Sequence, residues 1–301
     1  MKRQTKDKLV FWLFLSPALI SFIIVVIIPF FMGIYYSITD WQAVPGVKVN
    51  WLGLENYKNM FSDIKFQYSL IRTFIFTLLS VISINVVALI FAFLVTREIK
   101  FRNFFRAGFF VPNLIGGLVL GYIWQFIFKS VVPQIGGSLG IDFIENLLVL
   151  ANPDLTLIGL ITAYTWQYAG YIMMIYVAAL LNVPQELLEA SEIDGANAWQ
   201  KFKSITMPMI AQAFTITSFL TLVTSFKQYD IIVALTNGGP TDIFKGTVVN
   251  STELLAVHIY NVAFKYNNMA EGQARAVIFF LILSVVSIAQ VYNNKKKEIE
   301  M

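Results

Sequence analysis

Six stretches of this chain run for about 20 residues or more with almost no charge, and a helix needs about that length to cross the hydrocarbon core of a bilayer. They span Leu9 to Tyr36, Leu70 to Thr96, Phe104 to Phe128, Leu155 to Leu181, Pro208 to Phe226 and Gly272 to Tyr292. Hydrophobic residues make up 57% of the chain and charged residues 13%. A soluble domain averages about 45–50% and about 25%, so a polytopic, all-α membrane protein is expected. The first run follows Lys2, Arg3, Lys6 and Lys8 as a signal peptide would. It is far longer than the 7–15 residues of such a peptide's apolar region, and no small-residue cleavage site follows. It is read as a retained span, with Pro17 and Pro29 tolerated as kinks.

Lysine and arginine in the connections mark the cytoplasmic side. They gather in the N-terminal segment, after the second run (Arg97, Lys100, Arg102, Arg106), and at the end (Lys295, Lys296, Lys297). Both termini are therefore expected in the cytoplasm, with connections 37–69, 129–154 and 227–271 outside and 182–207 inside. The expected division is an N-terminal span with its outer loop (1–69), a transmembrane core (70–292) and a cytoplasmic tail (293–301). The net charge of +4 lies outside the apolar runs; it serves topology and implies membrane lipid, not nucleic acid, as a partner. Outside, Pro45, Gly46, Gly53 and "TNGGP" (236–240) are turn signals. The helical spacing in "TELLAVHIYNVAF" predicts a short helix lying on the outer face.

Catalytic chemistry finds little support. There is no cysteine and one histidine, His258, which reads as an incidental loop residue. No catalytic residue, metal site or cofactor is expected in this chain, and no G-x-x-x-x-G-K-[ST] phosphate loop is present. An ion-coupled secondary transporter would carry an ionisable residue deep in the membrane; none of the six runs has a central Asp or Glu.

The connection 182–207 is unusually structured. Pro184 suits a first helical turn, Glu186 and Glu189 suit a helix N-terminus, and Gly195 suits the left-handed residue that ends a helix. Trp199, Phe202 and Ile205 share one face of a second helical stretch, and Pro208 opens the fifth run. Leu187, Leu188, Ala190 and Ile193 give the first helix an apolar side flanked by acids. That pattern suits a groove on a soluble partner; a helix lying on the bilayer surface is the alternative, although such helices favour Lys and Arg.

Glu189-Ala190-Ser191, three residues, Gly195, nine residues, then Ile205-Thr206-Met207-Pro208 resembles the EAA loop of inner-membrane subunits of binding-protein-dependent ABC importers. The family pattern is E-A-A, three residues, G, nine residues, I-x-L-P, and Ser191 and Met207 are small departures from it. "GLENY" (53–57), "LTNGGP" (235–240) and Gly272-x-Ala-x-Ala276 are similar to the carbohydrate branch, specifically the first permease of maltose-type pairs. Arg275 within the last motif is less usual, and is expected to snorkel at the outer interface. The resemblance implies a type I ABC importer fold in a bacterial cytoplasmic membrane. It implies a second permease subunit that pairs with this chain as a heterodimer, two ATP-binding subunits that hold ATP and Mg, and an extracytoplasmic solute-binding protein. Glu189, Ala190, Ser191, Asp194, Gly195, Ile205 and Pro208 would then couple to the ATPases.

Polar residues inside spans are functional suspects, and they cluster in "YTWQYAGY" (164–171) and "TSFKQYD" (224–230). Aromatic faces with amide and hydroxyl groups suit sugars; for Trp166 and Tyr229 an interfacial belt is the competing role. By the resemblance, Thr165, Gln167, Tyr168, Tyr171, Thr224, Ser225 and Gln228 would contact a sugar, while the family's asparagines are absent at some of these places. Glycerol phosphate or another polar solute is the rival substrate. Asn85 and Gln125 are expected to make interhelical hydrogen bonds.

Overall fold

The computed structural model describes residues 2–295; Lys296 and Lys297 of the basic C-terminal cluster lie outside the described residues. Helices α1 (Lys2–Phe22) and α2 (Ile28–Ser37) are followed by α3 (Glu55–Ser62) and the long α4 (Ile64–Thr96). Next come α5 (Arg102–Leu114), α6 (Gly117–Phe126), α7 (Val132–Leu139), α8 (Asp142–Glu145) and α9 (Pro153–Leu181). The fourth connection holds α10 (Gln185–Ile193) and α11 (Ala198–Lys201), leading through α12 (Met207–Met209) into α13 (Ala211–Phe226). The chain ends with α14 (Asp230–Thr236), the hairpin β1 (Thr241–Phe244) and β2 (Thr247–Asn250), α15 (Leu255–Tyr260) and α16 (Met269–Lys295).

Among the described residues, four helical stretches are long and apolar enough to cross a membrane: Asp7–Ser37, Ile64–Thr96, Gly117–Leu139 and Met269–Asn293. Two bent pairs raise the number to six if each pair is one span: Pro153–Leu181 with Gln185–Ile193 (68°) and Ala198–Met209 with Ala211–Phe226 (70°). The third expected run, Phe104 to Phe128, is corrected. It breaks at Ile115 and Gly116, both extended (ψ 126° and 141°). Pro112 in the last turn of α5 and the Gly116–Gly117 pair weaken helix at this point. The spanning stretch instead runs to Leu139. It gets there through a π-helical turn, Ile127–Val131, just ahead of Pro133. The same device recurs: the π turns Ile23–Ile27 and Phe202–Thr206 lie just ahead of Pro29 and Pro208. Proline has no N–H and its ring collides with the carbonyl four residues back; a wider turn relieves that collision and keeps the helix continuous.

The chain divides into two compact units, one formed by residues up to Asp63 with Ile259–Phe280, the other by Ile64–His258 with the chain from Leu281 on. In the first unit, "GLENY" clamps the end of the first span. Asn56 is buried, and its Nδ2 donates to the carbonyls of Ser37 and Thr39, both at 2.8 Å. Tyr57 Oη and Ser37 Oγ are 2.6 Å apart. Hydrogen bonds from the side chain and backbone N–H of Asn50 hold the Asp40 carboxyl below its usual range. Arg275 does not snorkel: it is 3% exposed, and its guanidinium meets Glu271 Oε2 at 2.8 Å and Asp63 Oδ2 at 3.0 Å. A buried charge needs partners, and two carboxylates of the same unit supply them.

In the second unit α9 is central. It packs along α4, and α5 crosses it at Gly170, where a Cβ would lie 1.7 Å from the Phe109 carbonyl oxygen. No larger residue permits that crossing. Phe76, Leu160, Tyr164, Met173, Ile210 and Ile231 belong to the buried core. The helix expected to lie on the outer face is buried instead: Leu255, Val257 and His258 are covered, and the Leu255 N–H donates to Thr73 Oγ1 on α4 at 2.8 Å. His258 is likewise not an incidental loop residue, since its Nδ1 lies 3.0 Å from Glu253 Oε1 in the interior. Tight contacts with α4 hold this segment inside, so its apolar face meets protein and not lipid.

Asn85 and Gln125 bridge helices as expected. Gln125 Nε2 donates to the Leu235 carbonyl on α14 at 2.9 Å. Asn85 Nδ2 donates to Thr221 Oγ1 on α13 (3.0 Å), Tyr176 Oη on α9 donates to Asn85 Oδ1 (2.8 Å), and Thr217 Oγ1 donates to Tyr176 Oη (2.8 Å). This chain of side chains ties α4, α9 and α13 in a buried region. Removing one member strands its neighbours, at a cost of about 1–3 kcal/mol. Asn85→Ala and Tyr176→Phe should each lower the unfolding midpoint of the detergent-solubilised protein. The double variant should fall short of additivity by about 0.5 kcal/mol or more; strictly additive losses would show that the network is not coupled.

Candidate functional site

Two places depart from plain helix packing. The first is the elbow between α9 and α13. α10 starts at Pro184 and ends in a left-handed glycine, Gly195 (φ +77°). The Ala196 N–H bonds to the Ser191 carbonyl at 2.9 Å and the Gly195 N–H to that of Glu192 at 3.0 Å, the paired reversal that satisfies a helix C-terminus. Nothing lies within 4 Å of a Cβ at Gly195, so the need for glycine is conformational and not steric. α11 then opens with a reciprocal cap: Gln200 N–H donates to Asn197 Oδ1 (3.0 Å) and Asn197 N–H to Gln200 Oε1 (2.8 Å). The chain reverses sharply with its backbone groups satisfied.

Of the residues expected at this elbow, Glu189, Ala190 and Asp194 are exposed, as are Leu187 and Ile193, the latter 88% exposed. Ser191, Ile205 and Pro208 anchor it. Ser191 is buried and its hydroxyl donates to the Leu188 carbonyl at 2.7 Å, which accommodates the departure from alanine. Leu188 and Ile205 pack on the core, Pro208 is half-buried, and Phe202 meets Phe93 on α4 edge-on at 5.7 Å. α10 is thus a rigid helix, fixed on one side and bare on the other.

The second place is the break at Ile115–Gly116. Gln167, 5% exposed on α9, donates its Nε2 to the Ile115 carbonyl at 3.1 Å, while its Oε1 has no hydrogen-bond partner. Next to the break, a Cβ on Gly117 would lie 2.9 Å from Asp230 Cβ, so α6 and α14 begin side by side. Tyr168 lies against Tyr164, ring centroids 4.6 Å apart and planes tilted by 48°. Gln228 is buried on the corner between α13 and α14.

The structure thus sets Tyr168 against Tyr164 and Gln167 beside the break, while the Thr224 hydroxyl donates to the Leu220 carbonyl of its own helix at 2.8 Å. Tyr171 is half-buried, four residues along α9 from Gln167. Two expected residues face other surroundings. Thr165 shares a 2.7 Å hydrogen bond with Ser83 and lines a groove of about 440 Å3 among α4, α5 and α9. Ser225 is fully buried, its hydroxyl donating to the Thr221 carbonyl at 2.5 Å. The helix break and Asp230 were not singled out from the sequence. The signals were present: Pro112 and a glycine pair inside an apolar run, and an acid closing "TSFKQYD".

Residues 84–298 match the family profile described as binding-protein-dependent transport system inner membrane component. Over 98% of its length the chain is 45% identical to the probable starch degradation products transport system permease protein AmyD of Thermoanaerobacterium thermosulfurigenes, of which it covers 97%. It is 32% identical to the multiple sugar-binding transport system permease protein MsmF of Streptococcus mutans serotype c, over 99% of both chains. A solved bacterial alginate ABC transporter, in complex with an alginate pentasaccharide-bound periplasmic protein, contains a chain of the same fold. The TM-score is 0.78 at 18% identity, covering 96% of this chain and 94% of that one. The chain belongs to the family of binding-protein-dependent transport system inner membrane components, and its fold is that of a type I ABC importer permease.

Proposed function

We propose that this chain is the permease subunit of an ATP-driven importer of oligosaccharides, forming half of a translocation pore with a second permease. The observation that carries the reading is the elbow: a short helix held firmly to α9 and α13, with Leu187, Glu189 and Ile193 bare. An exposed apolar ridge flanked by acids is built to enter a groove on another protein. Its rigid capping lets a push on α10 turn the two long helices it joins. The groove belongs to an ATP-binding subunit in the cytoplasm, which holds ATP and Mg; this chain performs no hydrolysis. Both termini are cytoplasmic, and an extracytoplasmic binding protein delivers the substrate. The sugar reading draws on AmyD and MsmF, whose names concern starch products and multiple sugars, and on the aromatic and amide groups of α9 and the α13–α14 corner. There Tyr168, Tyr171, Thr224 and Gln228 contact the substrate. Thr165, Gln167 and Ser225 shape the walls from behind.

The elbow is tested by substrate-stimulated ATP hydrolysis in the reconstituted complex. A side chain at Gly195 strains the left-handed backbone, and a lysine at 189 reverses the charge of the docking face. Gly195→Val and Glu189→Lys should both abolish stimulation and uptake; normal rates in both variants would refute the coupling role. For the substrate path, losing a buried hydrogen-bond partner costs about 1–3 kcal/mol, or roughly 5- to 150-fold. Gln228→Ala and Tyr171→Ala should lower uptake by that order while leaving assembly with the ATPases intact. Unchanged uptake at normal protein levels would place the path elsewhere.

A further inference from the structure

The groove of about 440 Å3 among α4, α5 and α9 is walled by Val87 and Phe91, by Phe109 and Pro112, and by Ala169. The three hydroxyls that line it are spoken for: Ser83 and Thr165 bond to each other at 2.7 Å, and Thr162 donates to the Ile158 carbonyl at 2.9 Å. What remains suits hydrocarbon. Gly108 also lines the groove, in the interior of α5, and a Cβ there would meet nothing within 4 Å. A glycine inside a helix costs stability relative to alanine; here no close contact calls for it, and what it provides is room. Ser83, Val87 and Phe91 follow one another at four-residue spacing, so the groove runs along α4 for about 12 Å, toward the end of this spanning helix at Thr96. That end is basic. Phe91 stacks on Phe109 with ring centroids 4.2 Å apart. One turn further along each helix, Arg106 Nη2 donates to the Val95 carbonyl at 2.9 Å. Arg102, four residues before Arg106 and so on the same face of α5, is exposed. Arg97 and Lys100 are exposed as well, so residues 97–106 set four cations against one acid, Glu98. None of the four makes an ion pair among the described residues.

We infer that the groove holds an acyl chain of an anionic phospholipid, whose phosphate lies against Arg102 and Arg106. Guanidinium groups match phosphate oxygens in pairs, and acyl chains are the hydrocarbon that a bilayer supplies at this depth. A sugar would leave its hydroxyls unpaired against these walls. A lipid gripped at both headgroup and chain stays with the protein, whereas a basic patch alone only attracts an anionic surface. The site is independent of which solute the chain carries.

The test is native mass spectrometry of the assembled complex with phosphatidylglycerol and phosphatidylcholine of the same acyl chains. The wild type should hold phosphatidylglycerol at least about tenfold tighter, two interfacial cations being worth more than that. Arg102→Gln should narrow this preference about fivefold, acting on the headgroup alone. Gly108→Phe fills the groove and should weaken both lipids about tenfold, the effect of displacing about two buried methylenes. Gly108→Leu should act in the same direction and serves if the larger residue prevents assembly. Inorganic phosphate at matched ionic strength should not displace phosphatidylglycerol. Displacement by phosphate, or a complex with a filled groove that binds both lipids as the wild type does, would overturn the acyl-chain site. So would a wild-type complex that retains neither lipid; if Gly108→Phe then also breaks pairing with the second permease, the occupant is that subunit.

Discussion

Lipid offers no hydrogen bonds, so every backbone N–H and C=O within the hydrocarbon core must find a partner in the protein. At Ile115 and Gly116 the helix stops, and the orphaned Ile115 carbonyl is met by the Gln167 amide from α9. That one hydrogen bond lets α5 and α6 take separate partners. α5 lies across α9 at Gly170, and α6 runs beside α14 with Gln125 bonded to the Leu235 carbonyl. Irregular backbone at membrane depth is tolerated where it is buried in protein or lines a cavity. Here Ile115 is half-buried against the core, and the polar group that meets its carbonyl, Gln167, is among the residues assigned to the substrate path.

The elbow obeys the same demand in a different setting. Its reversal is closed by hydrogen bonds at each end, from the glycine turn after α10 to the Asn197–Gln200 cap before α11. It is anchored by Leu188, Ile205 and the Phe93–Phe202 contact. A mechanical link must be stiff, and stiffness here comes from satisfied caps and packed side chains rather than from length. The π turns ahead of Pro29, Pro133 and Pro208 follow a related logic: each proline is accommodated by a local widening, and the helix continues beyond it.

Much of this was legible in the sequence. Apolar run length located the first, second and sixth spans because hydropathy reads out burial in lipid directly. Gly195 and Pro184 announced the ends of α10 because only a few residues fit those backbone positions. "GLENY" was visible as a motif; its job, the Asn56 clamp on Ser37 and Thr39, was not, since a side chain's partner across the fold leaves no local trace. The third run was misread for a similar reason: apolar composition continues straight through the break, and a proline four residues earlier does not say whether a helix kinks or stops. Arg275 and His258 were misplaced because a charge or imidazole in an outer loop looks solvated until its carboxylate partners, Asp63, Glu271 and Glu253, are brought beside it. Among the expected substrate residues, helical spacing grouped Gln167 with Tyr171. It gave no sign that Gln167 serves the helix break or that Thr165 turns to Ser83.

The central claim is that the bare face of α10 is covered by an ATP-binding subunit. The chain has no cysteine, so Ile193→Cys places a single thiol on that face, and Ile243→Cys, 74% exposed on the β1 strand, supplies a reference. Maleimide labelling rates are measured on the isolated chain and on the assembled complex. The account predicts that assembly slows labelling at 193 by about tenfold or more, consistent with burial at an interface core, while labelling at 243 stays fast. Equal labelling at 193 in both states, in a complex shown to contain its ATPases, would contradict it.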